Sequence, residues 1–149
     1  TGWRIGYIAA GKKLSATLRK LHYYAVLCPN AISQKAAFAA LTGPQDCVRD
    51  MTEEYKRRRK YVLNELEKIR SLSYTIPKGA FYVFPDFSKH EKSDETLAVN
   101  LLKEAKVVTA PGSGFGKASE GHLRISYSIS YEQLKEGMTR IKNYLQHKT

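Results

Sequence analysis

Two arginines of this 149-residue chain stand where a guanidinium is expected to meet an anion. Arg4 lies inside the apolar segment 1–10, and Arg124 lies in the alternating segment 122–129. A charge inside an apolar segment must be paired, because an unpaired buried charge is very costly. The planar guanidinium binds carboxylates and phosphates through two parallel hydrogen bonds. Each arginine is therefore either part of an ordinary surface or ion-pair arrangement, or a binding group for an anionic ligand.

Two glycine-containing segments are further candidates for a binding site. The segment Gly112–Gly116 can cradle a phosphate with backbone N–H groups, but it matches neither the dinucleotide pattern nor the P-loop pattern. A loop that leaves a strand is the simpler interpretation. The segment Lys78–Tyr82 places a glycine where the backbone can pass close to another group, and a plain β-turn explains it equally well. The four histidines and two cysteines have no metal-ligand spacing, so we predict no metal site.

The elements that position these residues follow from the hydrophobic periodicity. Segment 2–11 is rich in aromatic and β-branched residues between two glycines, which predicts a largely buried strand. Asn30 is predicted to cap the second helix, and Ser130 with Gln133 the last helix. Helices are predicted over 12–27, 31–41, about 47–70, 93–105 and from 131 onward. Further strands are predicted over 73–76, 80–87, 107–110 and 122–129.

The element order predicts an α/β protein whose second part is α+β, since helices dominate up to about residue 70 and strands alternate with helices after it. In segment 122–129, Arg124 and Ser126 fall on the polar side of the strand, and Leu123 and Ile125 fall on the apolar side.

The composition is that of an ordinary globular protein, with 42% hydrophobic and 26% charged residues. No apolar run reaches the length of a membrane span, and no segment resembles a signal peptide. Two cysteines, Cys28 and Cys47, fit a reducing compartment, which predicts a cytoplasmic protein without a membrane partner.

The net charge of +11 is concentrated in the first 60 residues, where 12 lysines and arginines face 4 acidic residues. This excess leaves open a nucleic-acid-binding module built on residues 12–60. However, the basic run 56–60 lies within a helical pattern that contains Glu53 and Glu54, and no aromatic stacking platform accompanies it. A solvated helix face is the favoured interpretation, so nucleic acid is not the partner we expect.

Five segments, in this order, resemble the fold type I pyridoxal-phosphate aminotransferases of the aspartate aminotransferase superfamily. They are Thr1–Tyr7, Cys28–Asn30 leading into Gln34–Ala37, Pro77–Pro85, Pro111–Gly116 and His122–Tyr127. The resemblance covers essentially the whole chain and concerns the C-terminal portion of the family. The opening segment and the block around Arg124 are its most specific parts.

The resemblance implies a fold, a cofactor and a role for each arginine. Residues 1–42 would end the large cofactor-binding domain with its connecting helices, and residues 43–149 would form the small C-terminal domain, a small sheet packed by helices. Arg4 would bind the phosphate of the cofactor pyridoxal 5′-phosphate, and Arg124 would bind the α-carboxylate of the substrate. The implied activity moves an amino group between an amino acid, with aspartate as the default, and a 2-oxo acid. Members are typically homodimers.

One residue of the family pattern is absent from the chain. The family's Schiff-base lysine precedes the arginine that matches Arg4 by eight residues, which is five residues ahead of Thr1. No catalytic residue is therefore predicted within the chain, since Lys12, Lys13 and Lys78 are candidates by residue type alone. Because the chain opens in the middle of an apparent strand, we expect it to be a piece of a longer protein and inactive on its own.

Other functions are compatible with the same residues. A lyase or synthase of the same fold, or an amino-acid-sensing regulator, would use Arg4 and Arg124 in the same way. An interaction domain that stands alone is a third class, which the opening apolar segment disfavours because it would leave an unpaired strand edge.

Overall fold

The computed structural model describes residues 2–147, so Thr1 of the opening motif and residues 148 and 149 lie outside the described part. The chain forms two compact units that divide between Arg49 and Asp50, inside a long helix. In the first unit, α1 (Lys12–Val26) and α2 (Ala31–Thr42) precede the start of α3 (Asp46–Leu66).

Asn30 caps α2, as the sequence predicts. Its side-chain Oδ1 accepts hydrogen bonds from the backbone N–H groups of Ile32, at 2.8 Å, and Ser33, at 3.1 Å. The cap satisfies two of the N–H groups that the first turn of a helix leaves without partners.

The prediction of a largely buried strand at 2–11 is wrong. Residues 4–11 have no regular secondary structure, and Trp3, Tyr7 and Ile8 are 61%, 75% and 74% exposed. A strand forms only beside a partner strand, and the described residues of the first unit supply helices alone. The segment is instead fixed at Trp3, whose carbonyl oxygen accepts a hydrogen bond of 2.9 Å from the Ser33 hydroxyl.

The second unit contains the rest of α3, a small sheet and two further helices. Its strands and helices are β1 (Tyr82–Val83), α4 (Asp94–Asn100), β2 (Ala110–Pro111), β3 (Leu123–Ser126) and α5 (Tyr131–His147). A π-helical turn, Leu101–Ala105, continues α4, and two 3₁₀ turns, Gly112–Phe115 and Lys117–Ser119, separate β2 from β3. Ser130 caps α5 as predicted, because its hydroxyl accepts a hydrogen bond from the N–H of Gln133 at 3.3 Å.

The three strands form an antiparallel sheet in the order β1-β3-β2. Tyr82 pairs with Ser126 on one side of β3, and Ala110 pairs with Arg124 on the other. The strands are shorter than the apolar runs that predicted them, and of the predicted strand 73–76 only an isolated bridge between Ser73 and Asp86 is present.

The core lies in the second unit, between one face of the sheet and the three helices α3, α4 and α5. Its fully buried residues are Val62, Leu66, Val83, Phe87, Leu97, Leu101, Leu123, Tyr127, Leu134, Met138 and Ile141. The predicted small sheet packed by helices is thereby confirmed, as is the mixed helix-and-strand class. Among the described residues, no helix is long and apolar enough to cross a membrane.

Candidate functional site

Arg4 lies in an open cleft of about 430 Å³ in the first unit. The cleft lies between the N-terminal turn and the start of α2. Its described lining residues, none of them acidic, are Gly2, Trp3, Arg4, Ile5, Pro29, Asn30, Ile32 and Ser33. Arg4 is the only cation among these lining residues, and a guanidinium is a side chain that binds anions.

The backbone of Arg4 adopts an unusual conformation for a residue with a side chain. Its φ is +52°, in the left-handed region that costs roughly 1–2 kcal/mol for such a residue. The N–H groups of Ile32 and Ser33 beside it are already bonded to Asn30. Those two N–H groups therefore already have an acceptor within the chain.

Arg124 lies on the partly buried face of β3, opposite the core. Arg124 and Ser126 are two residues apart and share this face, and the pairing of Ser126 with Tyr82 brings the Tyr82 ring to it. The guanidinium carbon of Arg124 lies 4.6 Å from the centre of the Tyr82 ring and 4.8 Å from that of Phe115. Both distances are those of cation–π contacts.

Two more rings extend this aromatic surface. Phe84 lies edge-on to Phe115, with 5.8 Å between ring centres, and 5.1 Å from the His122 ring. We call the surface formed by these four rings and Arg124 the Arg124 face. Among residues 50–147, no carboxylate lies within ion-pair distance of Arg124. Neither ring offers a carboxylate acceptor, so the N–H donors of the guanidinium can bind the carboxylate of a ligand.

The Gly112–Gly116 loop is not a phosphate cradle. The buried carboxylate of Asp94, 5% exposed, accepts a hydrogen bond of 2.5 Å from the N–H of Ser113. The Ser113 hydroxyl donates to Glu95 at 3.4 Å. Two carboxylates beside the loop would repel a phosphate. The simpler interpretation, a loop leaving a strand, describes the segment, and the loop places Phe115 against Arg124.

Three residues of the basic run 56–60 are ion-paired within α3, and Arg59 donates instead to the carbonyl oxygen of Pro77 at 2.8 Å. Arg57 and Arg58 both donate hydrogen bonds to Glu54, at 2.8 and 2.7 Å, and these bonds lower the pKa of its carboxyl below the ordinary value. Lys56 pairs with Glu53 at 2.6 Å. The predicted solvated face describes Lys56, Arg57 and Lys60, which are exposed, whereas Arg58 and Arg59 are partly buried.

At Lys78–Tyr82 the backbone is hydrogen-bonded to the core residue Tyr127. The hydroxyl of Tyr127 donates to the carbonyl oxygen of Ala80 at 3.2 Å, and burial raises the pKa of that hydroxyl. Of this segment, only Tyr82 contacts a predicted site residue.

Sequence reasoning missed Tyr82 and Phe115 as parts of the Arg124 face. For Tyr82 a signal was present, because Tyr82 and Phe84 alternate along the predicted strand 80–87 and must share a side. For Phe115 none was present, since the position of a loop residue over a strand depends on a contact with α4, which is distant in sequence.

Comparison with known proteins agrees with the geometry. The family model for aminotransferase class I and II matches residues 1–141. The chain is 41% identical to the aspartate aminotransferase of Pyrococcus abyssi and 40% identical to aromatic-amino-acid aminotransferase 2 of Thermococcus litoralis. Each alignment covers 99% of this chain and 38% of the relative.

The solved structures show the same relationship. The aromatic aminotransferase from Pyrococcus horikoshii superposes with a TM-score of 0.84 at 40% identity, over 99% of this chain and 40% of that one. The aspartate aminotransferase from Rhizobium meliloti superposes with a TM-score of 0.80 at 36% identity, over 97% of this chain and 38% of that one. The chain thus spans about 38% of the length of the curated relatives it matches. It belongs to the class I and II aminotransferase family.

Proposed function

We propose that the intact protein is a pyridoxal 5′-phosphate-dependent aminotransferase, which passes an amino group from an amino acid to a 2-oxo acid. The observation that carries the proposal is Arg124, a guanidinium held between two rings without a carboxylate partner among residues 50–147. Membership of the family supports it, since relatives of similar sequence are named aspartate and aromatic-amino-acid aminotransferases. Residues 1–42 would complete a large cofactor-binding domain, and residues 43–149 would form the small domain.

The cofactor phosphate would be held by Arg4. The cleft fits an anionic group, because Arg4 lines it and its described lining has no acidic residue. When bound, the cofactor supplies a ring that withdraws electrons from the α-carbon of the substrate. Arg4 fixes the phosphate end, and the lysine that the family uses to attach the cofactor would precede Thr1.

Arg124 would bind the substrate α-carboxylate and thereby orient the α-carbon. Two parallel N–H···O bonds fix both the distance and the plane of a carboxylate, which a lysine ammonium cannot do. Fixing the substrate in this way lowers the barrier by holding the reacting bond in a productive orientation. Aspartate is the default donor.

We further propose that the intact enzyme is cytoplasmic and forms a homodimer. Cys28 and Cys47 are both free thiols, as suits the reducing cytoplasm. A homodimer is proposed from the family resemblance.

Assaying the intact protein with pyridoxal 5′-phosphate tests the function. Aspartate, tyrosine and phenylalanine are offered as donors, 2-oxoglutarate as acceptor, and formation of glutamate is measured. Transfer from at least one donor is expected. Arg124→Ala should raise the KM for that donor about 10- to 100-fold, as expected for loss of hydrogen bonds to a charged group. Arg124→Lys keeps the charge and should give a smaller increase. Absence of transfer from every amino acid tested, with cofactor bound, would contradict the proposal.

A further inference from the structure

Arg124 contacts two aromatic rings. Its guanidinium carbon lies 4.6 Å from the ring centre of Tyr82 and 4.8 Å from that of Phe115. The two rings come from different elements, β1 and the 3₁₀ turn after β2. Arg124 therefore contacts one ring from the side of β1 and one from the side of β2, since these two strands pair with opposite edges of β3.

We propose that Tyr82 and Phe115 are positioning residues, which clamp the guanidinium of Arg124 so that its in-plane N–H groups face the substrate carboxylate. The inference rests on the proposed function of Arg124. It adds two residues that act on the substrate through Arg124, without touching the reacting atoms.

Rings suit this task better than a carboxylate does. A carboxylate partner would occupy the same N–H donors that the substrate needs and would compete with it. An aromatic ring attracts the guanidinium through its π face and brings no carboxylate that would compete with the substrate. The clamp also restricts a long side chain before the substrate arrives, so less rotamer entropy is lost on binding.

The two rings are held by different means. Tyr82 belongs to β1, and its pairing with Ser126 fixes it relative to Arg124. Phe115 is 52% exposed and stands on a loop that is attached to α4 through the hydrogen bond between Ser113 and Asp94. Phe115 can therefore be replaced with little effect on the core, which makes it a second, independent probe of the clamp.

The test compares Tyr82→Leu with Tyr82→Phe in the intact protein loaded with cofactor. The measured quantities are kcat and KM for the best donor, and the inhibition constants of succinate and 3-phenylpropionate as carboxylate probes. Tyr82→Leu should raise the KM and both inhibition constants about 3- to 10-fold, the range of a cation–π contact, with kcat within about twofold. Tyr82→Phe keeps the ring and should behave as the wild type. Phe115→Leu should repeat the effect of Tyr82→Leu.

Tyr131→Leu is the matched control. It removes a cation–π contact of 4.0 Å with Arg57, on α3, and should leave KM and both inhibition constants unchanged. If Tyr82→Leu and Tyr82→Phe change KM equally, or if neither Tyr82→Leu nor Phe115→Leu changes it, the clamp is overturned.

Arg124→Gln separates failure of the clamp from failure of the proposed function. If Arg124→Gln leaves the inhibition constants of both carboxylates unchanged, Arg124 does not bind the substrate, and both proposals fall. If Arg124→Gln raises the inhibition constants of both carboxylates and the ring variants leave them unchanged, only the clamp proposal is wrong. In the double variant of Arg124→Gln with Tyr82→Leu, the two inhibition constants should equal those of Arg124→Gln alone, because Tyr82 acts through Arg124.

Discussion

The buried carboxylate of Asp94, at the first residue of α4, accepts a 2.5 Å hydrogen bond from the backbone N–H of Ser113. This bond joins α4 to the loop that carries Phe115 to Arg124. The same side chain accepts a second hydrogen bond, of 3.1 Å, from the backbone N–H of Glu95. The position of the loop therefore depends on a helix that is distant in sequence.

Replacing Asp94 should destabilise the second unit. Asp94→Ala leaves the partly buried N–H of Ser113 without its acceptor, and the free energy of unfolding should fall by about 1–3 kcal/mol. Urea denaturation followed by circular dichroism measures this change. Glu95→Ala is the control, because Glu95 is exposed and its bond to Ser113 is 3.4 Å long. An equal decrease in the free energy of unfolding in both variants would show that Asp94 does not anchor the loop.

Two glycines of the same loop, Gly112 and Gly114, differ in the space available for a side chain. A Cβ atom at Gly112 would lie 1.9 Å from the carbonyl oxygen of Ser119 and 2.8 Å from that of His122. Backbone atoms cannot move aside cheaply, so Gly112→Ala should cost at least about 2 kcal/mol of unfolding free energy. Gly114 has nothing within 4 Å of its Cβ position, and Gly114→Ala should change the stability by less than about 1 kcal/mol. A thermal melt of both variants decides the prediction, which fails if their melting temperatures agree.

The ion pairs of Glu65 should make the free energy of unfolding fall at acid pH. Its side chain is buried at 8% exposure, and the hydrogen bond from Lys68 at 2.5 Å, with Lys142 at 3.5 Å, lowers the pKa of its carboxyl. The stabilisation is therefore fully present above the unfolded-state pKa of about 4.3. It is lost as the pH falls through the lower pKa of the folded state.

Glu65→Gln removes this dependence. At pH 7 the variant should be less stable than the wild type by about 1 kcal/mol. The difference should shrink steadily below about pH 4, since the wild-type carboxyl is then protonated as well. Urea denaturation at a series of pH values measures it, and a difference that stays constant down to pH 2 would contradict the assignment.

Local signals predicted the helices well and the strands only in part. Asn30 and Ser130 act as caps because a cap involves residues two or three positions apart. The alternation of Leu123, Arg124 and Ile125 gave the correct faces of β3, since this pattern is a property of one strand. The segment 2–11 failed because a strand also needs a neighbour, which local composition does not report.

The candidate site shows the same limit. The residue types and the family resemblance singled out Arg4 and Arg124, and their roles remain predictions. The contacts of Arg124 with Tyr82 and Phe115 could not be derived from the sequence, because they depend on strand register and on a loop held by Asp94. Long-range placement of this kind follows from the whole fold rather than from any segment of it.

Titration of the intact protein with pyridoxal 5′-phosphate, in the wild type and in the Arg4→Ala and Arg124→Ala variants, tests the account most directly. Arg4→Ala should raise the dissociation constant of the cofactor about 10-fold or more, through loss of a charged hydrogen-bonding partner. Arg124→Ala should bind the cofactor as the wild type does and show its defect only in the KM of the amino acid. Equal cofactor affinity in all three proteins, or an equal loss in both variants, would contradict the division of roles between the two arginines.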